Sequence, residues 1–351
     1  CCLALAVFAS PLAQGGPDLR SIGVMTFGPD GVLFVADPKG AAIVALETGD
    51  EATRERPGLD AAKLGDDVAA LLGIEAGDLA IHDLAVHPAS GAAYLSVSRG
   101  RGPDAEPVLV RFSGSGAPEL LDLDGARFTR VELPNAPRDE GEGRRNQRTL
   151  SITDMEFHEG ALYVAGLSNE EFASKLHAIP YPFGEIGNGT SIEVYHGAHG
   201  AWETRAPVRT FATYDIEDTA HLLAAYTCTP LVKIPIREVL ATSEAGAKVR
   251  GTTVAELGNR NTPLDMVVYH KDGSEYVLVA NTSRGVMKIT TQGIAAPGGI
   301  TTRISGTAGL AYETIESLKD VAQLAPYDRT RAVALIQPEG AAARLETIEL
   351  T

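Results

Sequence analysis

The sequence predicts an all-β fold, a β-propeller of six blades with four antiparallel strands each and one short helical insertion. Three features carry this expectation. One pattern recurs along the chain: an alternating strand, a tight turn, a second strand, a polar loop and a third strand. Equivalent positions in successive copies lie 55 to 71 residues apart, the length of a four-stranded unit rather than of a β-helix coil. Turn signals such as Pro29-Asp30-Gly31 and Lys271-Asp272-Gly273 join the first two strands of a copy.

In chain order, residues 1–13 (CCLALAVFASPLA) are an apolar run ending in small residues, which reads as the end of a secretory signal. Residues 1–15 are expected to be that signal and residues 16–351 a single propeller domain. A membrane span needs about 20 apolar residues, and no segment of the chain supplies them. The copies follow as SIGVMTFGPDGVLFVADPKGAAIVALE (21–47), AIHDLAVHPASGAAYLSVSRG (80–100), SITDMEFHEGALYVAGLSNEE (151–171), TPLDMVVYHKDGSEYVLVANTSRGVMKIT (262–290) and SLKDVAQLAPYDRTRAVALIQPEG (317–340). A weaker copy is VRTFATYDIEDTAHLLAAYTCTPLVKIPI (208–236), which falls into register when LLAAYTCTPLVKI is laid on VLVANTSRGVMKI. The common register aligns Gly23, Asp83, Asp154, Thr210, Asp265 and Asp320.

Fourth strands fit residues 126–134, 191–206, 252–258 and 299–305 between the copies, and the last blade is expected to close on residues just after the signal. Two insertions interrupt the pattern. Residues 60–74 place Leu64, Val68, Leu71 and Leu72 at helical spacing, predicting one short amphipathic helix. Residues 134–149 (PNAPRDEGEGRRNQRT) are a charged loop without apolar periodicity, a candidate lid over one face.

With 46 acidic against 30 basic residues the formal charge is −16, which excludes the basic patches that nucleic acid or an anionic membrane requires. The partner expected is instead a small molecule or a protein. Trp202 is the one tryptophan, so no aromatic platform for bases or sugars is expected. Once a signal carrying Cys1 and Cys2 is removed, Cys228 is left alone and no internal disulfide forms, which suits a bacterial periplasmic or secreted protein. CxxCH, a phosphate-binding glycine loop, GxSxG and HExxH are all absent from the sequence, so neither haem nor nucleotide is expected.

Propeller geometry says where chemistry can gather. Inner strands start on the face that carries the loops between second and third strands, so both sets of residues surround the channel mouth. From the inner strands come Asp83, Asp154, Asp265 and Asp320; from the loops come Asp37, Arg99, Asn169, Glu170, Cys228, Asn281 and Arg284. Clustered carboxylates raise one another's pKa unless a cation or hydrogen-bond donors compensate. Asp83, Asp154, Asn169, Asp265, Asn281 and Asp320 are therefore candidate ligands for Ca²⁺ or another divalent cation. The same aspartates fit a second role, accepting backbone N–H groups where each blade turns. Asp37, Arg99, Glu170, Cys228 and Arg284 are candidate ligand-binding residues. A soft-metal role for Cys228 would need histidines, for which His82 or the pair His196 and His199 in HGAHG are available. HGAHG falls in a fourth strand at the outer rim, and His87, His158 and His270 fall at inner-strand ends on the opposite face.

The strand pattern and motifs such as LFVAD (33–37) resemble the six-bladed propellers with NHL-type repeats and the regucalcin/gluconolactonase group, over most of residues 20–351. The resemblance implies the fold. For gluconolactonase-like enzymes it also implies a metal held by a glutamate on the first inner strand, in an acidic-glycine-proline motif. Here that stretch is SIGVMTF (21–27) and has no carboxylate, although Asn169, Asp265 and Asn281 correspond to later ligands. Three readings follow: a binding or scaffold module with a cation or small ligand at the channel mouth, a metal-dependent hydrolase using Asp154, Asn169, Asp265 and Asn281, and a copper or redox accessory role through Cys228.

Overall fold

The computed structural model describes residues 12–53, 55–114, 116–141, 146–228, 230–241 and 248–350. Residues 1–11 of the expected signal and 142–145 of the expected lid lie outside them. Six sheets form the blades. Blade I comprises Met25–Phe27, Val32–Asp37 and Ala42–Glu47, and blade II Leu79–Val86, Ala93–Arg99, Glu106–Phe112 and Glu119–Leu120. Blade III comprises Asp154–His158, Ala161–Leu167, Ser174–Pro180 and Thr190–His196, and blade IV Val208–Ile216, Thr219–Tyr226, Pro230–Pro235 and Thr252–Leu257. Blade V is Pro263–Lys271, Ser274–Asn281, Val286–Thr290 and Tyr312–Ile315, and blade VI Val321–Pro326, Arg331–Ile336 and Arg344–Glu349.

Second and third strands are buried on both faces, so their alternation sorts side chains between two neighbours rather than between core and solvent. In blade I, Leu33 and Val35 pack with Tyr94 and Leu109 of blade II. Phe34 and Ala36, one residue out of phase, pack with Leu162 and Val164 of blade III. The remaining seams join III to IV, IV to V, V to VI and VI to II. The ring therefore closes in the order II–I–III–IV–V–VI, with the first two blades exchanged relative to the chain.

This exchange explains two departures from the expected strand assignment. Residues Arg127–Glu132, expected to finish blade II, run back and pair with the third strand of blade I, Val131 opposite Ile43. Blade VI closes not on residues just after the signal but on the stretch leaving blade I: Ala61 bridges Leu345, with N–H···O bonds of 3.0 and 3.1 Å in the two directions. Ala13–Gln14 pair instead with Phe128 and Arg127 on the edge of blade I. In blade V the fourth strand is Tyr312–Ile315 rather than 299–305. Strand periodicity reports that a strand exists but not which edge it joins, so these assignments need the three-dimensional seams.

The predicted helix is present as Leu64–Leu72, ending on Gly73 in the left-handed region at φ 66°. Leu64, Val68 and Leu72 wedge into the seam between blades II and VI, while Leu71 faces outward. The expected lid is tied down on its described part. Arg148 donates to the carbonyls of Lys39, Gly40 and Pro137 at 2.8 to 3.0 Å, which fastens it to the loop of blade I.

Candidate functional site

The inner strands leave an edge of N–H groups facing the channel, and these need acceptors. The structure supplies them by alternation. At the first residue after the bulge or kink that opens each inner strand stand Val24, Asp83, Asp154, Thr210, Asp265 and Gln323. In ring order these read Asp83, Val24, Asp154, Thr210, Asp265, Gln323, so every second position is an aspartate. Asp83 accepts the N–H of Met25 at 2.5 Å, Asp154 that of Phe211 at 2.7 Å and Asp265 that of Leu324 at 2.7 Å. The other oxygens of Asp154 and Asp265 accept the N–H of their own next residue, at 2.8 and 2.7 Å. Three carboxylates thus clasp six inner strands in pairs, the turn-fixing role that the sequence also admitted.

Two expected ring positions shift. Gly23 gives way to Val24, and Asp320 to Gln323. Asp320 sits exposed at φ 58° on the turn before the inner strand, outside the ring. A bulge between Val321 and Gln323 moves the register in a way strand pattern alone does not reveal.

Below the ring the channel opens into a chamber of about 840 Å³, lined by Met25, Phe27, Met155, Phe211, Met266 and Tyr327 around the acidic end. Arg56, Asp328 and Arg329 stand at its far mouth. Above the ring a second hollow of about 820 Å³, with Lys39, His82, Ser98, Arg101 and Arg209 on its wall, faces the loops. Glu156, two residues along from Asp154 and on the same strand edge, joins the acidic end; its oxygens accept Thr213 N–H at 2.6 Å and Thr213 Oγ1–H at 2.7 Å. The signal for it was present as the i, i+2 acidic pair in DMEF (154–157).

Burial drives the acids upward: Asp83 to about 8, and Asp154 and Glu156 to about 7. Asp265 is raised by burial and then by the charges of Asp83 and Asp154. Asp83, Asp154 and Glu156 hold their protons more tightly folded than unfolded, so their contribution to stability is full below about pH 4 and is lost up to about pH 8. His177, lowered by burial to about 4, acts oppositely, but only below its unfolded pKa of about 6.5. The melting temperature is therefore expected to fall between about pH 6.5 and pH 8, and an Asp83→Asn/Asp265→Asn variant to flatten that slope. An unchanged slope in thermal melts of the variant would remove the ring as its source.

The loop candidates fall elsewhere. Asp37 is fully buried and accepts from the N–H groups of Arg20, Ser21 and Gly40 and from the Ser21 hydroxyl, with Arg130 beside it. Asn281 spends its amide on Val279 O, Gly285 O and Asn261 Nδ2. Asn169 is exposed, its N–H on Asn135 O. Arg99 pairs with Glu106 at 3.1 Å on the surface, and Arg284 is exposed. Glu170 holds the buried Lys175 ammonium at 2.6 Å. Of the hydrolase set, Asp154 and Asp265 line the chamber, while Asn169 and Asn281 are not among its lining residues. Cys228, on a left-handed turn at φ 60°, lies beside His196 and His199 at the rim between blades III and IV. His87 fixes its turn as expected, with Nδ1 accepting Ser90 N–H at 2.9 Å.

No family model and no curated protein matches the chain. Among solved structures it is similar to the PQQ-bound aldose sugar dehydrogenase of Streptomyces coelicolor, at 14% identity and TM-score 0.33 over 97% of each chain. It is also similar to a putative oxidoreductase (glucose dehydrogenase) of Thermus thermophilus, at 12% and 0.35 over 96% of this chain and 99% of that one. A third likeness is to the extracellular domain of a putative one-component system of B. thetaiotaomicron, at 10% and 0.38 over 96% of this chain and 40% of that one. At these values the likenesses carry no argument about activity. Among the described residues no helix is long and apolar enough to cross a membrane. By its six sheets and six closed seams the chain is a six-bladed β-propeller.

Proposed function

We propose that the chain is a binding module that takes up a small cation, either hydrated Ca²⁺ or the ammonium group of a small amine, at the acidic end of its central chamber. The observation that carries this reading is the alternation of Asp83, Asp154 and Asp265 around the ring, with Glu156 beneath, all lining a cavity of about 840 Å³. That volume suits a small ligand. Each carboxylate oxygen that accepts one N–H retains a second lone-pair direction. Burial, joined at Asp83 and Asp265 by the neighbouring carboxylates, makes the acids poor anions until a positive charge arrives.

Among the described residues, the three ring carboxylates are not one of the groups whose donor atoms lie within 4.8 Å of one another. A bare ion gripped directly by all three is therefore disfavoured against a hydrated ion or an ammonium-bearing molecule, which bridges wider gaps through water. The apolar run at residues 1–13 supports a place outside the cytoplasm, where free Ca²⁺ and amines are met.

The reading is tested by titrating the full chain with CaCl₂ and, separately, with spermidine at about pH 8, above the raised values of Asp154 and Glu156. Binding of at least one probe is expected to weaken about tenfold or more in Asp154→Asn, the loss of one charge-assisted contact. Equal binding by the variant, or none by the unaltered chain, would overturn it.

A further inference from the structure

Away from the channel, on the rim between blades III and IV, the short HGAHG segment (196–200) makes a single tight turn. His199 N–H and Gly200 N–H both donate to His196 O, at 3.1 and 2.8 Å. The turn brings the two imidazoles to 4.0 Å between ring centroids. A Cβ at 197 would lie 2.7 Å from Glu256 Oε1, the acceptor of the Gly197 N–H, so a larger residue would displace that carboxylate. The two rings are tilted by 43° to one another, and what holds them in this arrangement calls for an explanation.

Glu203 supplies part of it. One oxygen meets His196 Nδ1 at 3.0 Å and the other meets His199 Nδ1, so a single carboxylate fixes both rings. A carboxylate at Nδ1 makes Nδ1 the N–H donor and leaves Nε2 with its lone pair free, the tautomer in which histidine binds metals. His196 is 3% exposed, yet its Nε2 has no hydrogen-bond partner. A buried nitrogen lone pair without a donor is costly and rare. From the neighbouring blade, the turn carrying Cys228 is held by its N–H on Asn261 O at 2.8 Å. Ligand atoms of His196, His199 and Cys228 all lie within 4.8 Å of one another.

We infer that His196, His199 and Cys228 form a mononuclear site for a borderline-soft transition-metal ion of the Zn²⁺ or copper type, with Glu203 as the carboxylate that orients both histidines. Nitrogen and thiolate donors select such ions over Ca²⁺ and Mg²⁺. Donors about 2.0–2.3 Å from one tetrahedral ion sit about 3.5 Å apart, so small side-chain rotations suffice. Three protein ligands leave one coordination position for water or an exogenous ligand, on the side where His199 is exposed. Glu256, 1% exposed, stands next to the turn and accepts the Gly197 N–H. The site also joins blade III to blade IV, so the bound ion crosslinks two blades.

The probe is Co²⁺ titrated into the full, reduced chain, with Zn²⁺ as competitor. The site predicts one equivalent of Co²⁺ bound with a thiolate-to-metal charge-transfer band, displaced by Zn²⁺. Cys228→Ser should abolish the band, and His199→Gln, at an exposed position, should weaken binding about a hundredfold or more while leaving the fold intact. Glu203→Gln should weaken it about 10- to 100-fold, as expected when an orienting carboxylate is lost. Absence of the band in the unaltered chain, or unchanged Co²⁺ affinity in His199→Gln, would overturn the inference. Asp154→Asn serves as the control, since a channel substitution leaves this titration untouched if the two sites are separate.

Discussion

Asp37→Ala is expected to lower stability by about 3–5 kcal/mol, the cost of removing one partner from a buried, charge-paired hydrogen-bond cluster. The carboxylate has no exposed surface, and three backbone N–H groups, the Ser21 hydroxyl and Arg130 converge on it. Alanine leaves those donors without their acceptor. Asp37→Asn keeps one acceptor oxygen and should lose less. For a domain of this size the alanine variant is expected to melt about 5 °C or more below the unaltered chain. The location of the loss is also specific. Asp37 ties the segment entering blade I to Arg130 in the strand that returns from blade II, the place where chain order and ring order part company. A melting temperature unchanged by Asp37→Ala would mean that the cluster does not hold this crossing together.

Gly166→Ala is expected to cost about 3 kcal/mol, at the upper end of what overpacking does. A Cβ at this position would lie 1.9 Å from the carbonyl oxygen of Ser151 and 2.5 Å from its carbon. Both contacts are backbone, so no side chain can swing aside. The segment that must yield is itself anchored: Ser151 Oγ donates to Pro38 O at 2.9 Å and Thr153 N–H to Ala165 O at 2.8 Å. That segment leads directly into Asp154. Gly166→Ala should therefore lower the melting temperature and also weaken cation binding, whereas a surface change such as Leu120→Ala should do neither. Retention of both properties in Gly166→Ala would contradict the close crossing of strand and loop.

The fold was legible in the sequence because the repeat states it many times over: period-2 runs, turn residues and unit length all agree. Ring order was not, since Arg127–Glu132 reads equally well as a fourth strand of either blade it could join. The ring carboxylates were legible as Asp83, Asp154 and Asp265, three equivalent positions in three copies. Asp320 was misplaced because a bulge shifts register by an amount no local pattern encodes. Asp37, Asn281 and Glu170 read from the sequence as loop residues near the mouth, but each is committed to neighbouring groups of its own blade. Polarity alone does not distinguish a residue that waits for a ligand from one that already has its partners. The rim cluster was half legible: HGAHG and Cys228 each stood out, but only the packing of blade III on blade IV brings them together.

The central claim is that a cation enters the chamber and is met by acids that repulsion and burial keep partly protonated. Calorimetry of Ca²⁺ and spermidine binding at about pH 7, repeated in two buffers of different ionisation enthalpy, tests it most directly. A cation that stabilises the ionised ring must expel protons, by the reciprocity of linked equilibria. The account predicts a net release of protons per ligand bound, diminished in Asp83→Asn/Asp265→Asn. Binding with no buffer dependence, or with the same release in that variant, would contradict it.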